Sequence, residues 1–366
     1  MQDSKKKSTS ARLLKFLKVL KRKSKKTLKK MKIKPVLAFT SALFAALIKK
    51  PIKKMASVCS SSWRVLIVII PLFLLIYYPI GGLLINNTTK RLDAEIKPTT
   101  ALESNTINMI AFIIDDEVNQ KLWTPNLPFF FPSYFLNNMP SMQLGIISTL
   151  GNFSSAFAQL SGHQTTIKDQ PLSEVAKRLN TPGTVWLFSP DSTLSTAPSA
   201  NSQYRHARKL LISYNKSLIA GTSAFQKNYP DLILLLRKIN QDISSNTQNL
   251  EKFIREESPY FFGTRPSRPF FFHQGKIYAY FMILRALSHD YKEIIVTNNL
   301  YPIWTQMLKS LEEGSRLSPM IVRNGDLNSL TAPNHLAHLA LFSLSAQKHM
   351  KDIILTLEEK SAANAN

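Results

Sequence analysis

The strongest constraint on this chain is a run of 21 uncharged, largely apolar residues, Val65 to Ile85, set directly behind a lysine-rich tail. At about 1.5 Å of rise per residue, such a run reaches about 30 Å as a helix, the thickness of a bilayer's hydrocarbon core. Asp, Lys or Arg at the centre of a span costs about 3 kcal/mol, and this run holds none of them. Core helices of soluble proteins rarely run so long without a polar face. A cleavable signal would carry a 64-residue leader, and no A-x-A site follows the run. The run therefore reads as an uncleaved anchor. Pro71 and Pro79 are expected to kink it or loosen its last turn.

The charge step across the run sets its direction. Residues 1–64 hold 20 Lys/Arg and one acid, Asp3, a net of +19. Residues 86–366 hold 27 Lys/Arg and 22 Asp/Glu, a net of +5, so the basic character of the chain belongs to the tail. Lys49, Lys50, Lys53, Lys54 and Arg64 crowd the N-terminal flank, against Lys90, Arg91 and Lys97 beyond the run. The positive-inside rule puts the tail in the cytoplasm and residues 86–366 across the membrane. The only cysteine, Cys59, precedes the run, so the large domain relies on no disulfide.

Within the tail, Lys15, Lys18, Arg22, Lys25, Lys29 and Lys32 recur at helical spacing. Leu13, Leu17, Leu20, Leu28 and Met31 do so on another face. Lys15, Lys18, Arg22, Lys25 and Lys29 are thus candidates for contact with anionic lipid head groups. The alternative is a self-repelling tail that serves only as an orientation signal. With two aromatics in its first 40 residues, Phe16 and Phe39, the tail argues against a nucleic-acid site. Residues 36–48, VLAFTSALFAALI, are too short to span and read as an interfacial segment.

Beyond the anchor the periodicity predicts helices. They run over Ser104 to Gln120, Pro132 to Leu160, Ser199 to Phe225, Pro230 to Glu257, Gln274 to Thr297, Tyr301 to Leu317 and Pro333 to Glu359. Leu232, Leu235, Ile239, Ile243, Leu250 and Phe253 form a narrow seam on the fourth. Val185 to Phe188 is the one short strand candidate. The expected fold is all-α, a single transmembrane helix followed by a large antiparallel helical bundle.

Two segments interrupt this text, WTPNLPFFFP at 123–132 and PSRPFFFH at 266–273. Proline beside three phenylalanines is expected to place Phe129, Phe130 and Phe131, and Phe270, Phe271 and Phe272, in loops at helix junctions. Three adjacent rings point in several directions. Each triplet is therefore either a plug buried at a bundle end or a surface for a partner or the membrane. At least one triplet is expected to be core.

Catalytic motifs are thin. His335 and His338 are spaced i, i+3, but no H-E-x-x-H pattern accompanies them, so a structural role at a helix start is expected, with Asn334 as cap. No metal or cofactor is implied. Asp115, Asp116 and Glu117 are consecutive, splay around a helix, and read as a solvated helix end. No serine lies in a G-x-S-x-G or S-x-x-K setting.

Several short motifs occur in a suggestive order. Trp123-Thr124-Pro125-Asn126, Phe129 to Pro132, Asn138-Met139-Pro140 and Gln143-Leu144-Gly145 come first. Pro182-Gly183 with Trp186, Ser202-Gln203-Tyr204-Arg205 and Tyr214-Asn215 follow. Gln274-Gly275, Asn324-Gly325 and Pro333-Asn334-His335-Leu336 come last. Together, over roughly residues 70–357, they resemble a proteobacterial family of single-pass membrane proteins catalogued as domain of unknown function 2333. The resemblance implies a bacterial inner-membrane protein with one N-terminal anchor. It carries no activity or catalytic residue with it, and the long lysine-rich tail is not part of it.

The expected organisation is a basic cytoplasmic tail over 1–64, a transmembrane helix over 65–85 and a periplasmic helical domain over 86–366. The leading functional expectation is a module that binds or scaffolds partners in the cell envelope. Trp123, the two phenylalanine triplets, Asn334 and His335 are its candidate residues. One alternative is a periplasmic enzyme acting on envelope polymers through His335 or Asp115–Glu117. Another is a tether that holds cytoplasmic partners or anionic lipid by the tail.

Overall fold

A computed structural model describes residues 62–95, 100, 102–164, 170–186, 198–223, 225–256, 265–325 and 333–365. The lysine stripe from Lys15 to Lys29, and residues 36–48, lie outside the described residues. The apolar run is one continuous helix, α1 (Ser62–Ile85), with both prolines inside it. From Leu66 to Ile85 it is long and apolar enough to cross a membrane, and only 11% of its most apolar stretch is buried. A water-soluble core helix buries such a face; this one displays it.

The chain divides between Leu84 and Ile85 into two units. In the second, the described residues are all-α, apart from one isolated antiparallel bridge between Asn324 and Asn334. Its helices are α2 (Asn105–Asp115), α3 (Asn138–Gln164), α4 (Gln170–Leu179), α5 (Ala200–Ile219) and α6 (Tyr229–Glu256). They continue with α7 (Ser267–Asp290), α8 (Lys292–Thr297), α9 (Tyr301–Arg316) and α10 (His335–Ala365). A π-helical turn, Asp116–Gln120, extends α2, and a 3-10 turn, Pro132–Phe135, precedes α3.

Helix α7 is the centre of this unit. It packs against α2, α3, α6, α8, α9 and α10. Its buried residues include Phe270, Phe271, Ile277, Tyr278, Phe281, Met282 and Leu284, on all sides of the helix. Apolar residues all round a helix leave no face for water, and such a helix must lie inside. The seam on α6 is buried from Leu232 to Leu250, while Phe253 is half-buried.

The helix boundaries correct several expectations. Helix α7 begins at Ser267, so Phe270 to Phe272 lie within it and not in a loop. Pro269 falls in the first turn, where backbone N–H groups have no partner inside the helix, so proline sacrifices no bond. The same helix stops at Tyr291, and the continuation to Thr297 is the separate short helix α8. Helix α5 ends at Ile219, six residues early. Gly221 takes the left-handed conformation (φ 70°), and the Thr222 N–H reaches back to the Ser217 carbonyl at 3.0 Å. That is a Schellman closure, which needs glycine after the cap. Pro140 in the first turn of α3 starts a helix where one had been expected to run through from Pro132. Val185 and Trp186 form no strand. Helix α4, absent from the expected elements, buries Leu172, Val175, Ala176 and Leu179 at helical spacing.

Candidate functional site

Among the described residues, two of the buried polar centres bring a lysine together with carboxylates. The first is the π-turn. Asp116, Glu117 and Lys121 are all buried there. Lys121 Nζ lies 2.6 Å from Glu117 Oε1 and 3.0 Å from Asp116 Oδ2, and donates to the Thr89 carbonyl at 2.7 Å. Arg91 Nε reaches Asp116 Oδ1 at 3.4 Å. Gln143 donates to the Glu117 and Leu122 carbonyls and accepts from Thr124. An α-helix would splay consecutive acids; the wider π-turn turns Asp116 and Glu117 to one lysine. Burial opposes charge on Lys121, but two carboxylates outweigh it and hold the ammonium above its ordinary range. Burial pushes the Glu117 carboxyl up, against the pull of a lysine it shares with Asp116. The acids are therefore not a solvated helix end. Only Asp115 is partly open, and it pairs with Arg208 at 3.3 Å and Asn119 at 2.7 Å.

This centre grips the segment that follows α1. Besides Thr89 and Arg91, Lys90 Nζ donates to the Leu317 carbonyl at 3.3 Å, and Arg285 donates to the Leu92 and Ala94 carbonyls. Burial, with Lys121 nearby, lowers Lys90 to about 8.

The second centre is open. Helices α3, α6 and α7 meet at Asp242. Its carboxylate accepts from Lys276 Nζ at 2.9 and 2.8 Å, from the Tyr280 hydroxyl at 2.6 Å and from Asn152 Nδ2 at 2.9 Å. Lys276 and Tyr280 are one turn apart on α7 and both are buried. A cavity of about 360 Å³ opens on Asp242 and Tyr280, lined by the polar side chains of Asn152, Ser155, Gln159, Lys238, Gln241 and Ser245 and by Phe153, Leu235 and Ile239. Burial and the Asp242 carboxylate hold the Tyr280 phenol well above its ordinary value, so it stays a donor. Nearby His273 donates through Nε2 to Ser343 Oγ at 2.7 Å, because that hydroxyl is already spent on the Leu339 carbonyl. Burial, helped by Lys276, pushes its imidazole down to about 3. Four side chains donate to the centre's carboxylate, Asn246 Nδ2 at 3.4 Å being the fourth, and burial keeps its phenol and imidazole neutral. The cavity's lining of amides, hydroxyls and one ammonium is suited to binding a polar ligand. Among the described residues, no group of three or more His, Cys, Asp or Glu side chains is placed to hold a metal.

The sequence candidates lie elsewhere. Trp123 is buried, donates to the Gly183 carbonyl at 3.0 Å and meets the Tyr204 ring edge-on at 5.1 Å. Phe270 and Phe271 are buried in α7, and Phe272 is half-buried with Lys276 over its ring. Phe129 and Phe130 are exposed and Phe131 is half-buried. The two triplets thus have different environments. Asn334 caps α10, accepting from the Ala337 N–H at 2.9 Å, and donates to Asn324 Oδ1 and the Gly325 carbonyl. His335 opens α10; its Nδ1 accepts from the Arg323 N–H at 3.1 Å, and its own N–H returns to the Arg323 carbonyl. The partners of His335 and those of Asp116 and Glu117 share no residue. Asp242, Lys276 and Tyr280 are not among the residues that the sequence motifs single out. Their signal was Lys276, the single charged residue between Arg268 and Arg285 in an apolar stretch, with tyrosine at i+4.

His335 carries a pH prediction. Burial, with His338 and Arg323 adding to it, lowers its imidazole below the ordinary 6.5. A depressed folded value means that stability is complete above about 6.5 and falls as pH drops below it, because the unfolded chain takes the proton first. Protonated Nδ1 also can no longer accept from Arg323. His335→Ala should cost about 1–2 kcal/mol at pH 8 and flatten the loss of stability between pH 6.5 and 5. Denaturation midpoints across that range check it; an unchanged slope would assign the acid sensitivity to another group.

No family model matches the chain, and no curated protein or solved structure matches it either. The motifs that carry the resemblance to the single-pass family form junctions in this fold. Leu144 and Tyr204 pack round Gly183 with Trp123, Thr124 bonds Gln143, Asn126 bonds the Val185 carbonyl, Asn215 bonds both ends of Ser104, and Gln274 bonds the Leu317 carbonyl.

Proposed function

We propose that this chain is a membrane-anchored helical module that binds or scaffolds partners in a bacterial cell envelope. In this reading α1 crosses the inner membrane and the basic tail faces the cytoplasm. Residues 86–366 form an antiparallel bundle in the periplasm, and the cleft over Asp242, Lys276 and Tyr280 takes the partner. The observation that carries it is the exposed apolar helix Leu66–Ile85 beside the steep fall in positive charge. The motif resemblance to a single-pass inner-membrane family points the same way. Binding is favoured over catalysis because Asp116 and Glu117 are committed to Lys121, and His335 to the Arg323 backbone.

The single cysteine makes the test direct. A maleimide that cannot cross the inner membrane should label Gln241→Cys in a Cys59→Ser chain, in cells with a permeabilised outer membrane. It should leave Cys59 of the unaltered chain untouched. A photoactivatable maleimide at position 241 should give a discrete adduct that the same probe at Lys292→Cys, at the exposed start of α8, does not. Reversed labelling would overturn the topology, and equal adducts at both positions would overturn the cleft as the binding site.

A further inference from the structure

The loop from Pro128 to Leu136 presents aromatic rings to solvent where burial was available to most of the domain's other large apolar side chains. Phe129, Phe130, Tyr134 and Phe135 are each more than half exposed. Phe129 and Phe130 meet edge-on at 5.6 Å, Tyr134 and Phe135 at 5.4 Å, and Phe131 adjoins Phe130 at 5.3 Å. The backbone beneath them is tied down. The Phe131 N–H bonds the Pro128 carbonyl at 2.9 Å, Tyr134 bonds Phe131 at 3.0 Å, Leu136 bonds Ser133 at 3.0 Å, and Pro132 and Ser133 are buried. These rings are therefore held outward on an ordered base.

Two further facts say what meets them. No Asp, Glu, Lys or Arg occurs between Lys121 and Lys168, so the loop and its flanks enter an apolar phase without desolvating a charge. The segment that leaves α1 is also fastened beside this loop. Asn87, two residues past Ile85 and so at most about 7 Å of chain away, donates its backbone N–H to Met139 Sδ at 3.3 Å. Met139 opens α3 four residues after Phe135. Phenylalanine rings with one tyrosine, in an uncharged stretch beside the segment that leaves an apolar span, suit the boundary between head groups and acyl chains.

We propose that the Pro128–Leu136 loop is a membrane-docking surface, its rings seated in the head-group and upper acyl layer of the bilayer that α1 crosses. This rests on the reading of α1 as an anchor. The loop is a second, non-covalent contact that fixes the domain's face toward the lipid. Because it carries no charge, its seating is indifferent to salt.

The test uses the full chain with Cys59→Ser, reconstituted into phosphatidylcholine vesicles that contain lipid doxyl-labelled high on the acyl chain. An environment-sensitive fluorophore is placed in turn at Phe130→Cys, at Leu75→Cys within α1 and at Lys292→Cys on α8. The expected result is several-fold quenching by doxyl lipid at positions 75 and 130, unchanged in high salt, and none at 292. Quenching at 75 with none at 130 overturns this inference and leaves the anchor standing. No quenching at 75 overturns the anchor itself. A fluorophore at 130 that neither doxyl lipid nor aqueous iodide quenches marks a protein-covered face and also overturns the inference. To exclude insertion driven by the dye, Phe129→Ser with Phe135→Ser should lower the quenching at 130 several-fold; undiminished quenching would count against the rings.

Discussion

Lys121→Met should destabilise the helical unit by roughly 3–5 kcal/mol, because it strips the shared counter-ion from two buried carboxylates. Asp116 keeps Arg91, whose side chain is more than half exposed and screened by water. Among the described residues, Glu117 pairs with Lys121 alone. The variant also frees the Thr89 carbonyl, so the segment from Thr89 to Ala94 should loosen. Denaturation of the detergent-solubilised chain, followed through buried Trp123 and Trp304, reads the change. The loss should shrink as pH falls toward the ordinary carboxylate range, since a protonated acid no longer needs a cation. Adding Asp116→Asn and Glu117→Gln should recover most of it, as a neutral polar set of the same shape. If Lys121→Met alone left the midpoint in place, the π-turn would not be a charge lock.

The sequence revealed periodic features more readily than junction features. Helix α6 was legible because Leu232, Leu235, Ile239 and Ile243 repeat at helical spacing over a long stretch, and its ends were found to within a residue. The all-α class followed from many such stretches. The ends of α5 and α7 were not legible, because they depend on one residue each: Gly221 in a left-handed conformation, and Pro269 counted from a start that only Ser267 fixes. The phenylalanine triplets look alike in sequence. One lies in the first turns of the central helix and the other on an exposed loop, a difference set by what packs around them. The two polar centres were least legible. Asp116 and Glu117 face one lysine only because a π-turn replaces an α-turn. Asp242 and Lys276 lie 34 residues apart on different helices, a distance no local spacing rule spans. The short motifs behind the family resemblance were visible, but their role as helix-junction bonds required knowing their partners.

Gly145→Ala and Gly275→Ala should each lose about 3 kcal/mol, the top of the range for overpacking a well-packed site. These glycines lie where α3 crosses α7. A Cβ on Gly145 would stand 2.0 Å from the Phe272 carbonyl oxygen, and one on Gly275 would stand 2.2 Å from the Met142 carbonyl oxygen. Both obstacles are backbone, so no rotamer change relieves them and the helices must part. Alanine raises helix propensity by about 1 kcal/mol, less than the separation takes away. The separation also reaches the cleft, since Asn152 on α3 and Lys276 and Tyr280 on α7 hold Asp242 from the two sides of this crossing. Gly314→Ala is the comparison: its nearest neighbour, Phe342 Cβ, is 3.3 Å away and belongs to a side chain. There the propensity gain should offset most of the contact. Denaturation midpoints for the three variants decide the matter. Equal shifts for all three would mean that the crossing is not set by its glycines, and the Asp242 cluster would need another cause for its closeness.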